Sequence, residues 1–261
     1  MISDPVCIRV KGQWACFTRP EFHVERVSYP VITPSAARGI LESILMKPIE
    51  KPQSDKRDDK SGFIWRILRI GIVKKGAPFS ILRNELRFHK IAFSGKESEP
   101  INISEIHEKR TPHTQRHSLI LKDVEYLIEA VIEVPEEYIK SKGVISVVKY
   151  KTIFERRIKS GRCFHRPYLG CREFPCDVVE WAEDKNVDTS VNDDFGNMFH
   201  DFDFSPIWNH WGDKKERPDK WDVNGKTIHP VAKSFYAKAE TGWIAVSKII
   251  SDNGRKRVEE C

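Results

Sequence analysis

The chain has 261 residues, with 44 Lys and Arg against 38 Asp and Glu, a net charge of only +6 although 31% of its residues are charged. A chain of this length buries roughly three quarters of its unfolded surface and needs no disulfides to hold a core, and 39% apolar with 10% aromatic residues excludes a disordered tail. No apolar run approaches the roughly 20 residues that span a bilayer, and Met1-Ile2-Ser3-Asp4-Pro5 lacks the basic start and apolar stretch of a signal peptide, so a cytoplasmic protein with reduced cysteines and no membrane contact is expected.

Val6-Cys7-Ile8-Arg9-Val10 predicts a first strand, Lys11-Gly12 a turn, and Trp14-Ala15-Cys16-Phe17 further extended chain. The clearest helix follows, from Thr33 as N-cap, through Pro34 at the first helical position, to a stop at Pro48. Ala37, Ile40, Leu41, Ile44 and Leu45 form its buried stripe. Residues 49–61 are polar and predict a mobile loop, and strand signal resumes from Phe63 to Val73. A second polar stretch includes His107, Lys109, Arg110, His113, Arg116 and His117.

Val124, Tyr126, Ile128, Ala130, Ile132 and Val134 then alternate with Glu125, Leu127, Glu129, Val131 and Glu133, the period of a half-buried strand. Val144, Val147, Val148, Phe154 and Ile158 recur at helical spacing, with Gly161 placed to end the helix. Tyr168-Leu169 and Val178-Val179-Glu180-Trp181 suggest a fourth strand. The order β-α-β-β-α-β is the ferredoxin-like, RRM-like pattern of an α+β domain, a plan used by RNA-recognition modules and by many unrelated proteins. The expected division is a domain over 1–183 and a small, mostly β part over 184–261, where Asp, Asn, Gly, Trp and Phe alternate in short turns. A P-loop, G-x-G-x-x-G, H-E-x-x-H and internal repeats are absent, so ATP hydrolysis, dinucleotide binding and zinc proteolysis lack their usual signatures.

The small net charge conceals a large separation. Residues 140–174 hold ten bases against two acids, and residues 177–223 hold thirteen acids against five bases. The basic block is interleaved with Tyr150, Phe154, Phe164, His165 and Tyr168, the composition of a nucleic-acid surface in which cations displace counterions from phosphates and flat side chains receive unstacked bases. The bland alternative is a solvated helix face. Cys163, His165, Cys171 and Cys176 gather four zinc-ligand types within fourteen residues. The spacing C-x-H-x5-C-x4-C lacks the paired C-x2-C knuckles of zinc sites, so these are read as ordinary core or loop residues, and neither metal nor cofactor is expected.

Three blocks carry a family resemblance. They are Ala15-Cys16-Phe17-Thr18-Arg19-Pro20-Glu21 through Glu25-Arg26-Val27-Ser28-Tyr29-Pro30 to Thr33-Pro34-Ser35-Ala36-Ala37-Arg38-Gly39-Ile40-Leu41-Glu42, then Gln115-Arg116 with Leu121-Lys122-Asp123-Val124-Glu125-Tyr126, and Phe154-Glu155-Arg156-Arg157 with Gly161-Arg162-Cys163-Phe164-His165-Arg166-Pro167-Tyr168-Leu169-Gly170-Cys171-Arg172-Glu173-Phe174-Pro175. They resemble the Cas-five family, d variant, of the type I-C (Dvulg) CRISPR system. The resemblance implies a metal-independent endoribonuclease that cuts precursor CRISPR RNA in its repeat, then stays on the 5′ handle beside the other subunits of a DNA-targeting surveillance complex. The basic surface would also permit duplex DNA.

Metal-free RNA cleavage needs a base for the ribose 2′-OH, an acid for the leaving 5′-oxygen and a cation for the phosphate. The family assigns these parts to a Tyr near the end of the first helix and to a Lys-His pair near the start of the second. Here the tyrosine position is Leu45 and the pair falls on Lys149-Tyr150. Lys149 is expected to hold the phosphate, with Tyr150 or His165 handling protons, and His117 and then His113 behind them. Lys11, Arg19, Arg26, Arg38, Lys47, Arg156, Arg162 and Arg166 are the expected RNA contacts, with Trp14 and Tyr29 as further stacking residues. For Arg38 and Arg156 a structural ion pair is the competing reading. The loss of two family positions keeps a non-catalytic RNA-binding subunit as the alternative.

Overall fold

The computed structural model describes residues 1–22, 24–47, 62–86, 113–134, 147–203, 222–223, 226–227, 231–252 and 255–261. The expected loop at 49–61, the stop at Pro48, the residues His107, Lys109 and Arg110, and Val144 lie outside them.

Strand β1 runs unbroken over Val6–Ala15, so Lys11-Gly12 is no turn. Gly12 is there for another reason: a Cβ on it would stand 2.3 Å from Cδ1 of Leu169, which packs across the strand at that point. The short β2 (Arg26–Val27) precedes α1 (Pro34–Ile44), where the Thr33 hydroxyl accepts from the Ala36 amide and Pro34 opens the first turn. The expected stripe is buried, but the helix ends at Ile44, with Leu45 already extended as its C-cap.

The sheet continues through β3 (Ile64–Lys74), β4 (Ala77–Leu86) and β5 (His113–Glu133). β5 is 21 residues long, twice the expected alternation, because its first half forms a ribbon with β4. Asp123, at φ 57°, marks the change between halves. α2 (Val147–Lys159) buries Val147, Tyr150, Phe154 and Ile158, whereas Val148 is exposed. Gly161 takes a positive φ just past its end, the left-handed stop that glycine adopts without a Cβ penalty. β6 is confined to Val178–Trp181, and Tyr168 makes only an isolated bridge to Pro175.

The strands form a mostly antiparallel sheet in the order β6-β1-β5-β3, which continues through β11 (Trp243–Ala245), β10 (Val231–Glu240) and β7 (Asp194–Asp203). β2 and β4 attach to β5. Two small ladders complete the described chain, β8 (Asp222–Val223) with β9 (Lys226–Thr227), and β12 (Ser247–Asp252) with β13 (Arg255–Glu260). This is a mostly-sheet α+β protein with two helices among the described residues.

Both helices lie on one face, where Ile40, Leu41, Tyr150 and Phe154 join Ile8, Val10, Tyr126 and Ile128 in a single core. The opposite face, where Leu127 and Val131 interrupt the glutamates, is covered as well. Leu127 and Val131 are fully buried there, and the glutamates are paired: Glu125 with Arg9 at 2.6 Å, Glu133 with Arg66 at 2.6 Å, and Glu129 with Arg69 at 2.8 Å and Lys185 at 3.2 Å. Carboxylates are accommodated in a covered layer because each has a cation to share it.

Candidate nucleic-acid interface

The end of α1 organises the basic block. The last carbonyls of a helix have no intrahelical donor, and here three at the end of α1 find one from elsewhere in the fold. Ser43 O accepts the backbone amides of Phe164 (2.8 Å) and His165 (3.0 Å), Ile44 O accepts the Arg157 guanidinium, and Leu45 O accepts the Trp65 indole N–H at 2.9 Å. The segment after α2 is thus pinned to the end of α1. Cationic Arg157 and Lys47 also sit at the negative end of the helix dipole, where positive charge is favoured. Sequence reasoning missed Arg157 as this link, since nothing local in a run of arginines marks the one that turns inward.

Around this junction the expected residues divide. Leu45 is buried in the core. Tyr150 is buried as well, its ring 4.9 Å from that of Phe63 and 5.5 Å beneath the Lys47 ammonium. Lys149 and Lys47 are exposed, as are Arg156, Arg162, His165 and Arg166. Lys149, Arg156 and Lys159, spaced by seven and three, share the outer face of α2. A groove of about 480 Å³ runs beside them, lined by Arg156, Arg157, Ser160, Arg162, Cys163 and Phe164. Lys47, Lys149, Tyr150, His165, Arg156 and Arg162 therefore belong to the α1–α2 end of the molecule.

The remaining expected contacts lie elsewhere. Lys11 is exposed, but alternation along β1 puts it with Arg9 on the sheet face away from the helices. His117 is exposed on the β4–β5 ribbon, opposite Leu82, and His113 opens β5 on the same ribbon. Arg19 is half-buried, 4.8 Å over the ring of Tyr29. Arg26 pairs with Glu173 at 2.7 Å and reaches Sγ of Cys171 at 3.6 Å, and Glu173 also receives Arg83. Arg38 holds Asp201 at 3.0 Å and Glu42 at 3.8 Å. It thus takes the structural role, and burial raises the Glu42 carboxyl against the attraction of Arg38. Tyr29 is core, its hydroxyl accepting the Phe199 amide at 3.2 Å. Trp14 is half-buried against Phe79 at 5.2 Å.

The cysteines are all free. Cys163 is exposed on the groove, while Cys176 is buried and its thiol pushed up to about 12 by that burial. Cys171 lies beside Cys16, with the Thr18 hydroxyl 3.7 Å from one sulfur and 3.6 Å from the other. The Cys16 thiol and Arg26 hold Cys171 down at about 6, and Cys16 is raised in return.

Comparison with known proteins gives a consistent picture. Residues 6–247 match the Cas_Cas5d family, described as CRISPR-associated protein (Cas_Cas5). A Thermus thermophilus protein named CRISPR pre-crRNA endoribonuclease Cas5d is 36% identical over 239 residues, covering 92% of this chain and 90% of the relative. A Mannheimia succiniciproducens protein of the same name is 34% identical over 215 residues, covering 78% and 87%. The fold is shared with the crystal structure of a CRISPR-associated protein (TM-score 0.55, 20% identity, 99% and 98% of the two chains). It is also shared with that of a functionally uncharacterised Streptococcus mutans protein (TM-score 0.53, 21% identity, 94% and 93%).

Proposed function

Because this chain belongs to the Cas5d family of CRISPR-associated proteins, we propose that it is an endoribonuclease that cuts CRISPR repeat RNA without a metal and then holds the 5′ handle within a type I-C surveillance complex. Relatives at 34–36% identity are named CRISPR pre-crRNA endoribonucleases. The observation that carries the reading is the exposed basic surface of α2 and the segment after it, which bears Lys149, Arg156, Arg162 and His165 and is pinned to the end of α1 by the Phe164 and His165 amides.

In the proposed reaction a 2′-OH loses its proton and attacks the adjacent phosphorus. The P–O5′ bond breaks, and a proton passes to the departing 5′-oxygen, leaving a cyclic phosphate and a 5′-OH. Lys149 neutralises the charge that builds on the phosphate, an electrostatic role that asks no proton of it. His165 moves the protons, since its side chain is exposed where that of Tyr150 is buried. Tyr150 underlies Lys47 and supports the site from below.

For the architecture, we take residues 1–183 as the ferredoxin-like domain and 184–261 as the smaller β-rich part. The order β6-β1-β5-β3, antiparallel throughout, supports this, as does the placing of α1 between β1 and β3 and of α2 between β5 and β6. β11 couples the two parts through β3.

The competing reading, a non-catalytic RNA-binding subunit, draws on the buried Leu45 and Tyr150 at two family catalytic positions. Incubation with cognate repeat RNA in EDTA and in Mg²⁺ separates the readings: specific cleavage in EDTA is expected, binding without cleavage in either would favour the non-catalytic subunit, and cleavage only in Mg²⁺ would make it a metal-dependent nuclease. A 2′-deoxy nucleotide at the cut is expected to abolish the reaction, whereas continued cutting would reject the 2′-OH as nucleophile. Lys149→Ala is expected to lower the cleavage rate by at least tenfold and Lys256→Ala, on β13, to leave it unchanged; equal effects would dismiss Lys149.

A further inference from the structure

Phe164 is 71% exposed, more than any other large apolar side chain among the described residues. Leaving a phenylalanine in water forgoes about 1.5–3 kcal/mol of burial, and its neighbours Arg162, Cys163, His165 and Arg166 are exposed too. Nor is the residue on a loose loop. Its amide donates to Ser43 O at 2.8 Å, the next amide donates to the same carbonyl, and Arg162 N is bonded to Arg157 O at 2.9 Å. The ring is braced by His165, centroids 4.4 Å apart and planes at 70°, an edge contact that leaves the ring open to stacking. A rigid aromatic loses little conformational entropy when something lies on it.

What lies on it is indicated by the groove it closes. Arg156, Arg157 and Arg162 line that groove with Phe164 at its border, an arrangement of cations and one bare aromatic. The residues lining the groove include three arginines and no carboxylate, so with the bare phenyl ring they fit an anionic ligand that carries flat groups. Single-stranded RNA offers that combination: phosphates for the arginines and an unstacked base for the ring.

We propose that Phe164 is the stacking platform for one unpaired nucleobase of the RNA, whose neighbouring phosphates occupy the Arg156–Arg162 groove. The proposal rests on the RNA-processing reading above and adds to it a residue that positions the strand without taking part in proton transfer.

The test measures binding of repeat RNA in EDTA, with 2-aminopurine placed in turn at each unpaired position, to wild type and to Phe164→Leu, Phe164→Ala and Phe164→Trp. Thermal melts should match, because the side chain is exposed. Wild type is expected to quench 2-aminopurine at one position and Phe164→Trp to retain the quenching. Phe164→Leu and Phe164→Ala are expected to lose it and to bind about 5- to 150-fold more weakly, the range of one base–aromatic stack. Wild-type binding with unchanged affinity and quenching in Phe164→Leu and Phe164→Ala would overturn the stacking proposal alone. If those variants instead keep RNA affinity but lose association with a protein subunit, the ring docks protein and the proposal also falls. Failure of the wild type itself to bind the repeat would overturn the RNA reading and this proposal with it.

Discussion

Position 45 illustrates how one side chain decides which chemistry is available. A leucine there cannot move a proton; it fills core space instead, and its carbonyl is taken by the Trp65 indole. In the proposed reaction proton transfer then falls to an exposed group, and His165 is held at the same helix end by two amides on Ser43 O. Cys171 is a second residue whose chemistry is set by neighbours. Cys16 and Arg26 stabilise its thiolate, so alkylation by iodoacetamide, followed by mass spectrometry, is expected to rise with a midpoint near pH 6. Cys16→Ala should move that midpoint upward, since Cys16 is the larger cause; a midpoint in the untreated protein near the ordinary thiol value of about 8.5 would reject the assignment. Gly170 is the tightest residue position. At φ +86° a Cβ would meet Cys16 O at 2.0 Å, and because that obstacle is backbone it cannot swing away. Gly170→Ala is expected to cost at least about 3 kcal/mol of stability in a denaturant titration, beyond the usual range for single substitutions.

At the scale of elements, the informative part is the end of α1. Thr33 and Pro34 explain where the helix starts, and both were legible because capping is a local property of the chain. Its end is different. The stop comes at Ile44, and the donors that satisfy its carbonyls come from residues 157, 164 and 165 of another element and from Trp65 of β3. Arg157→Ala should therefore leave the Ile44 carbonyl unpaired and loosen the junction. Faster hydrogen exchange at the Phe164 and His165 amides is expected, with about 1–3 kcal/mol lost. Unchanged exchange would mean that Arg157 does not hold the junction. β5 teaches a related lesson. Its alternation identified a strand with a mixed second face, but not that Arg9, Arg66, Arg69 and Lys185 from other segments pair the glutamates there.

Across the molecule, the net charge of +6 is the remainder of a basic block and an acidic one, and the fold uses the basic block unevenly. Arg157 is committed to the end of α1 and Lys151 reaches Asp4 at 3.6 Å, while Lys149 and Lys159 stay exposed on α2 and Arg156 and Arg162 line the groove beside it. Single-strand binding releases about 0.7 counterion per phosphate contact. Removing Lys149, Arg156 and Arg162 together should therefore flatten the slope of log affinity against log salt by about 2, measured by fluorescence anisotropy across a salt series. A slope unchanged from wild type would move the RNA to another face. Arg26 was legible as a cation but not as a structural one, and for Arg38 the sequence left RNA contact and ion pair in balance, because their partners Glu173 and Asp201 lie far along the chain.

The sequence by itself determined the mixture of strands and helices, the start and inward stripe of α1, and the family to which the chain belongs. Each is carried by neighbours in sequence or by an ordered motif, and hydrophobic period and capping act within a few residues. Only the tertiary structure decided which cations are exposed and which are paired, that Tyr150 faces inward, and that His165 and Phe164 are fixed to the end of the first helix. Those outcomes depend on groups more than a hundred residues apart meeting across a sheet. Charge and hydrogen-bond donors carry no local mark of the partner that will satisfy them, so their roles appear only when packing brings the partners together.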